Sequence, residues 1–235
     1  MFKQPAKAKL FLALSLCIFL TAPVLTLLTG CSTRDKTEIS KQPEPSQQIT
    51  KSNEAELKQQ AAEALKRQEA LDKQKLLDEK YQIAYQAFHA KKRTEAITLA
   101  DEIIQAEPNY YQAYNIKGIA LCFSGQFTKG MENIDKSLSI KPDFGYALFN
   151  KALAYELNGQ FDKALAWYDK ALQVESYIWS YYGKASIYGR RGDVANTVKY
   201  LQIAISMDSS VKEVARDEAD FNPVKNSKEF QALVK

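Results

Sequence analysis

The tripeptide Gly125-Gln126-Phe127 returns as Gly159-Gln160-Phe161, thirty-four residues later, and a looser copy, Gly192-Asp193-Val194, follows after thirty-three. Pro108 and Pro142 keep the same interval, with Ser176 at the next such place. Lys117-Gly118 aligns with Lys151-Ala152, and Leu121 with Tyr155. A recurrence of this length constrains the fold more than any other feature. Each unit is too small to bury its own apolar face, so a core exists only where neighbours stack. Between the glycine and proline punctuation lie stretches of roughly a dozen residues with apolar side chains at helical intervals. The spacing predicts two helices per unit, joined at the glycine and closed at the proline.

A 34-residue helix–turn–helix unit with these small and aromatic positions resembles the tetratricopeptide repeat, over about 77–209 and most closely in the middle two units. In that family, small residues at repeat positions 8 and 20 let the two helices approach their neighbours. Here those places hold Ala84 and Ala96, Gly118 and Gly130, then Ala152 and Ala164. Phe127 and Phe161 are the large residues of the second-helix turn. The fourth unit is one residue shorter in its preceding turn, which puts Ala185, Tyr188, Gly192, Thr197 and Ala204 in the matching roles.

Some positions depart from the pattern. Position 7, usually apolar, is Lys117 and Lys151, so their alkyl stems are expected to pack while the amines reach water. The first unit has Lys91 in place of the turn glycine and Arg93 in place of the aromatic. Terminal units are often atypical because an outer face meets solvent. The implied fold is all-α: a right-handed superhelical array of three to four helix–turn–helix units over 81–210. Residues 211–235, with Phe221, Pro223 and Phe230, are expected to cap it.

The resemblance also implies a concave surface lined by the first helix of each unit. Carried across by repeat position, it nominates Tyr81, Tyr85 and Phe88 in the first unit, and Gln112, Asn115 and Ile119 in the second. The third supplies Tyr146, Phe149, Leu153 and Glu156, with Asn150 beside them, and the fourth supplies Trp179 and Tyr182. Aromatic side chains offer large contact area at low entropic cost and concentrate at binding hot spots. The competing reading is that these residues pack against the next unit. The Lys/Asn clamp by which some relatives hold a C-terminal carboxylate is absent, since its places are taken by Tyr81, Tyr85, Ile116, Tyr146 and Asn150.

The N-terminal region follows other rules. Residues 1–30 hold Lys3, Lys7 and Lys9, no acid, and an apolar run from Leu10 to Leu28, which is the pattern of a secretory signal. Leu28-Thr29-Gly30-Cys31 resembles the lipobox of bacterial lipoproteins, implying cleavage before Cys31 and lipidation of its thiol. Two or more acyl chains give stable anchoring where one does not. An uncleaved membrane-spanning helix over Leu10–Leu28 is the alternative, and Pro23 counts against it. Both readings put the remainder on the extracytoplasmic side of the cell envelope, at the plasma or the outer membrane. Residues 31–53, polar and with Pro43 and Pro45, are expected to be a solvated tether averaging on the order of 25 Å. From 54 to 80, Glu, Ala, Leu, Lys and Gln without Gly or Pro predict a charged helical extension, running into the first repeat helix or forming a weak coiled coil.

Composition narrows the function. The formal charge of +4 includes the three leader lysines, and the rest of the chain holds 29 basic and 28 acidic residues. That balance lacks the basic field nucleic-acid binding needs. Three cysteines are too few for a disulfide framework, and Cys122, among apolar residues, is expected to act as a small hydrophobe. His89 is the only histidine, which excludes multi-His metal sites and leaves little for a catalytic triad. Gly183-Lys184-Ala185-Ser186 is a faint echo of a phosphate loop, but Ile178 stands where its first glycine belongs. Arg191-Gly192-Asp193 matches an adhesion tripeptide, yet the repeat already accounts for its glycine. The expectation is a lipid-anchored module that binds a protein or peptide and needs no cofactor, metal or nucleic acid. A structural subunit self-associating through the 54–80 helix or an open end is the second reading, and an enzyme the weakest.

Overall fold

A computed structural model of the chain describes residues 48–235, with side-chain environments from Glu54 onward. The expected signal peptide, Cys31 and most of the expected tether lie outside the described residues. All regular structure among the described residues is helical: α1 Gln48–His89, α2 Arg93–Ala106, α3 Tyr111–Phe123, α4 Phe127–Ile140, α5 Gly145–Leu157, α6 Phe161–Val174, α7 Ile178–Arg190, α8 Val194–Met207, α9 Val211–Asp217, a 3-10 turn Ala219–Phe221 and α10 Lys228–Val234. The chain divides into two units, Met1–Arg67 and Gln68–Lys235. In the first, the described part of α1 is solvated, with Leu57 and Leu65 exposed and Lys58 paired to Glu54 at 2.7 Å one turn away. The charged extension and the first repeat helix are one element, and α1 starts at Gln48, inside the stretch assigned to the tether. Beyond Pro45 nothing in the sequence interrupts a helix until Lys91.

The second unit holds the repeats, and their turns explain the period. Gly125, Gly159 and Gly192 have φ of 80°, 72° and 73°, a left-handed backbone that costs a side chain energy and glycine almost none. Each helix end is closed by the paired bonds of a Schellman motif: in the second unit, Gly125 N–H donates to Cys122 O at 3.0 Å and Gln126 N–H to Leu121 O at 2.9 Å. The first turn has the same geometry with Lys91 at φ 64°. At the other joints, Glu107 and Lys141 are extended, as residues before proline must be.

Packing follows the small residues. Ala84, Ala96, Ala152, Ala164, Ala185 and Ala204 are fully buried. Gly118 and Gly130 come closest: a Cβ on Gly130 would lie 2.7 Å from the Gly118 oxygen and 2.3 Å from Cys122 Sγ. Cys122 fills that crossing, and burial pushes its thiol pKa up to about 12, so it is inert at neutral pH.

The position-7 lysines correct the sequence expectation. Their amines do not run out to water; each pairs with an aspartate on the second helix of the preceding unit. Lys117 meets Asp101 at 2.6 Å, Lys151 meets Asp135 at 2.5 Å, and Lys184 meets Asp169. Side-chain exposure of the lysine falls along the series from 24% to 11% to 6%, so the pairs become drier toward the C-terminus. Lys151 also lies over the Trp167 ring at 3.8 Å and Lys184 over Tyr200 at 4.2 Å. Burial alone would lower the pKa of Lys184, but Asp169 and Tyr200 outweigh it and the amine titrates above its ordinary value. The first unit has no preceding repeat among the described residues, and Ile83 takes this position, half exposed.

At the other end α9, the 3-10 turn and α10 fold over α7 and α8. They bury Val211, Phe221, Val224, Phe230 and Val234 against Tyr182, Leu201 and Ala204. Arg216 Nη2 donates to the Val234 carbonyl at 2.6 Å, fastening α10 to α9.

Candidate functional site

The first helices α1, α3, α5 and α7 supply the nominated residues, and the structure sorts them into two groups. Tyr81, Tyr85, Tyr146 and Trp179 remain partly exposed. Phe88, Asn115, Ile119, Phe149, Asn150 and Tyr182 are at most 9% exposed, so they belong to the core or to the floor beneath the surface rather than to the surface itself. Helices that converge on the inner side of an array crowd one another. Phe149 lies 4.9 Å from the Tyr177 ring and 5.9 Å from Tyr168, and Tyr182 stands perpendicular to Phe221 of the cap at 5.7 Å. Asn150 donates from Nδ2 to Asn115 Oδ1 at 3.0 Å, tying α5 to α3 inside the core. Of the remaining positions, Gln112 and Leu153 are partly exposed, whereas Glu156 is buried.

The partly exposed tyrosines form one surface. Ring centroids run from the buried Tyr110 to Tyr81 at 5.9 Å, to Tyr85 at 6.4 Å, to Tyr146 at 6.1 Å and to Tyr177 at 6.4 Å. The row therefore links three units, and Tyr85 of α1 reaches Tyr146 of α5 although α3 intervenes in sequence. Burial raises the pKa of Tyr81, Tyr85, Tyr146 and Tyr177, and the neighbouring phenols raise all but Tyr85 further; a hydrogen bond from Tyr146 pulls Tyr85 the other way. These phenols are neutral at any physiological pH. His89 packs against Tyr85 with ring centroids 4.3 Å apart and the planes tilted by 53°, and burial lowers its pKa, so it too is neutral near pH 7.

Repeat position alone does not pick out Tyr110, Tyr177 or Phe144, whose ring meets Tyr146 at 6.3 Å. All three stand immediately before a first helix, as the residues capping α3, α5 and α7. Their spacing, 110, 144 and 177, repeats the period of the array with its one-residue shortening, a signal present in the sequence.

A second constellation is buried beneath α5, α6 and α7. Glu156, 2% exposed, accepts from the Tyr168 hydroxyl at 2.6 Å and the Ser186 hydroxyl at 3.2 Å, with Arg190 at 4.0 Å. Asp220 of the cap accepts from Ser186 at 2.5 Å and Arg190 at 2.8 Å. Burial dominates and pushes the pKa of Glu156 up to about 7, against the hydrogen bonds and Arg190. Through Asp220 this network ties the cap to Ser186 and Arg190 of α7. Among the described residues, no group of three His, Cys, Asp or Glu side chains could hold a metal ion.

Comparison with known proteins agrees with the architecture. Residues 145–177, the third unit, match the family model of the tetratricopeptide repeat. Among solved structures, the chain is similar to PilW, a widely conserved type IV pilus biogenesis factor, with a TM-score of 0.56 and 17% identity over 68% of this chain and 78% of that one. It is also similar to TTC0263, a thermophilic repeat protein of Thermus thermophilus, at 0.52 and 17%, covering 57% and 75%. The MamA fragment 41-end from Desulfovibrio magneticus RS-1 matches at 0.50 and 18%, covering 67% and 88%. No curated protein matches significantly. The fold is that of a tetratricopeptide-repeat array, closed at its C-terminal end by its own capping helices.

Proposed function

We propose that this protein is an interaction module tethered to the bacterial cell envelope by a lipid on Cys31, and that its array binds a segment of another protein during envelope assembly or maintenance. The observation that carries this is the partly exposed aromatic row through Tyr81, Tyr85, Tyr146 and Tyr177, which crosses three units and presents contact area without a catalytic group. The leader and Leu28-Thr29-Gly30-Cys31 support the envelope location, and the likeness of fold to a pilus biogenesis factor is compatible with a scaffold role there. A photo-crosslinking residue at Tyr85, in the full chain in its native membrane, should give a discrete adduct that Tyr146→Ala depletes. The same probe at Lys163 should give none. Equal crosslinking at both positions would remove the groove from consideration. Cys31→Ser should abolish labelling by fatty acid, and labelling at the wild-type level would refute the anchor.

A second reading has its own observation. Leu76 and Ile83 of α1, two turns apart on one face, are 62% and 52% exposed, an apolar strip that a second copy could cover. Sedimentation of the detergent-solubilised protein separates the two, because a monomer favours the partner-binding role.

A further inference from the structure

We infer that the segment held by the tyrosine row is basic, a lysine- or arginine-bearing stretch of a protein partner whose cations stand against the phenol faces. The inference rests on the binding role proposed above and specifies the chemistry of the occupant. The row ends in a carboxylate on each side. At one end Asp78 accepts from the Tyr110 hydroxyl at 2.6 Å and from Gln74 at 2.8 Å. At the other, Glu175 lies two residues before Tyr177, and its charge helps to raise that phenol's pKa. Both carboxylates are exposed, and neither is ion-paired among the described residues.

The groove-facing positions of the first helices carry no lysine or arginine at all. Lys141, close to Tyr111 at the edge of this surface, is already paired with Asp143 at 2.9 Å. The surface thus combines electron-rich ring faces with unneutralised negative charge, and repels acidic segments. Rings about 6 Å apart touch one another, so a cation would stand on their outward side, where a tilt of roughly 50–80° brings it against more than one ring. Elsewhere the chain satisfies its aromatics from within: Lys151 and Lys170 flank Trp167 at 3.8 and 3.9 Å. A cation from outside would complete the tyrosine row in the same way.

The test uses the full-length protein in detergent and three fluorescein-labelled peptides, each of three X-Ala-Pro repeats with X as lysine, norleucine or glutamate. Anisotropy titrations should show the lysine peptide binding at least about tenfold more tightly than the norleucine peptide, with none measurable for glutamate. Tyr85→Ala and Tyr146→Ala should each weaken the lysine peptide several-fold or more, Tyr85→Phe should retain most binding, and Asp78→Asn with Glu175→Gln should reduce it. Circular dichroism of each variant checks that the array is intact. If the norleucine peptide binds as tightly and is as sensitive to Tyr85→Ala, the groove is a binding surface but its occupant is apolar, and the inference fails alone. Lysine-peptide binding indifferent to Tyr85→Ala, or absent at millimolar peptide, also overturns it.

Discussion

Gly130→Ala sets two effects against each other, and the structure decides between them. In the interior of an isolated helix this change is stabilising by about 1 kcal/mol, because alanine restricts the unfolded chain. Here the new methyl would stand 2.3 Å from Cys122 Sγ, 2.7 Å from the Gly118 carbonyl oxygen and 3.0 Å from the Cys122 nitrogen. The sulfur can turn away, but the two backbone atoms move only if α3 and α4 separate, which loosens the packing of Ile116, Ile119 and Ile134 around them. Overpacking costs about 1–3 kcal/mol, and with two backbone atoms within 3.0 Å the cost falls in the upper part of that range, so a net loss of about 1–2 kcal/mol remains after the propensity gain. For a folded part of this size that lowers Tm by roughly 3–8 °C, readable by circular dichroism at 222 nm. Adding Cys122→Ala should recover only part of the loss, because the Gly118 oxygen stays. Gly125→Ala is the contrasting control. Nothing lies within 4 Å of its Cβ, so its cost of about 1 kcal/mol is purely that of φ +80° and should be indifferent to Cys122→Ala. A Gly130→Ala protein as stable as the wild type, or more so, would refute the close approach that defines this array.

The first turn makes the opposite prediction. Lys91→Gly relieves a left-handed lysine at φ 64° and should raise stability by about 0.5–1 kcal/mol in chemical denaturation. Glu156 predicts a pH dependence. Its pKa is raised from 4.5 to about 7, so its contribution is present at low pH and is lost as pH rises from about 4.5 through 7, up to about 3 kcal/mol. The stability difference between wild type and Glu156→Gln should therefore shift toward the variant by pH 8, and a difference that stays constant from pH 4 to 8 would contradict the assignment. The lysine ladder predicts a gradient. Asp101→Ala should cost about 0.5 kcal/mol and Asp169→Ala about 1–2, because Lys117 can turn to water and the 6%-exposed Lys184 cannot. Equal costs in urea unfolding would mean that burial of the lysine is not what gives these pairs their weight.

Much of the array is written in local chemistry and could be read without coordinates. Left-handed turns demand glycine, proline forbids the residue before it from staying helical, and close helix crossings demand Ala or Gly; each constraint acts within a few residues, so the period is visible in one dimension. Ala84, Ala152 and Ala164 are buried where the period places them, and the residues 211–235 fold as a cap because Phe221 and Phe230 need cover. Which side chains face outward was not legible in this way. Phe149 and Tyr146 lie on the same helix at the same kind of position, yet one is core and the other partly exposed, because Tyr168 packs against Phe149 and the Tyr177 ring stands 4.9 Å from Phe149 but 6.4 Å from Tyr146. The lysine–aspartate pairs join residues fifteen or sixteen apart across a unit boundary, and Tyr85 meets Tyr146 across sixty-one residues. Those meetings depend on how far each unit is rotated against the next. That rotation is the sum of many side-chain contacts between helices distant in sequence, and no short stretch of sequence contains it.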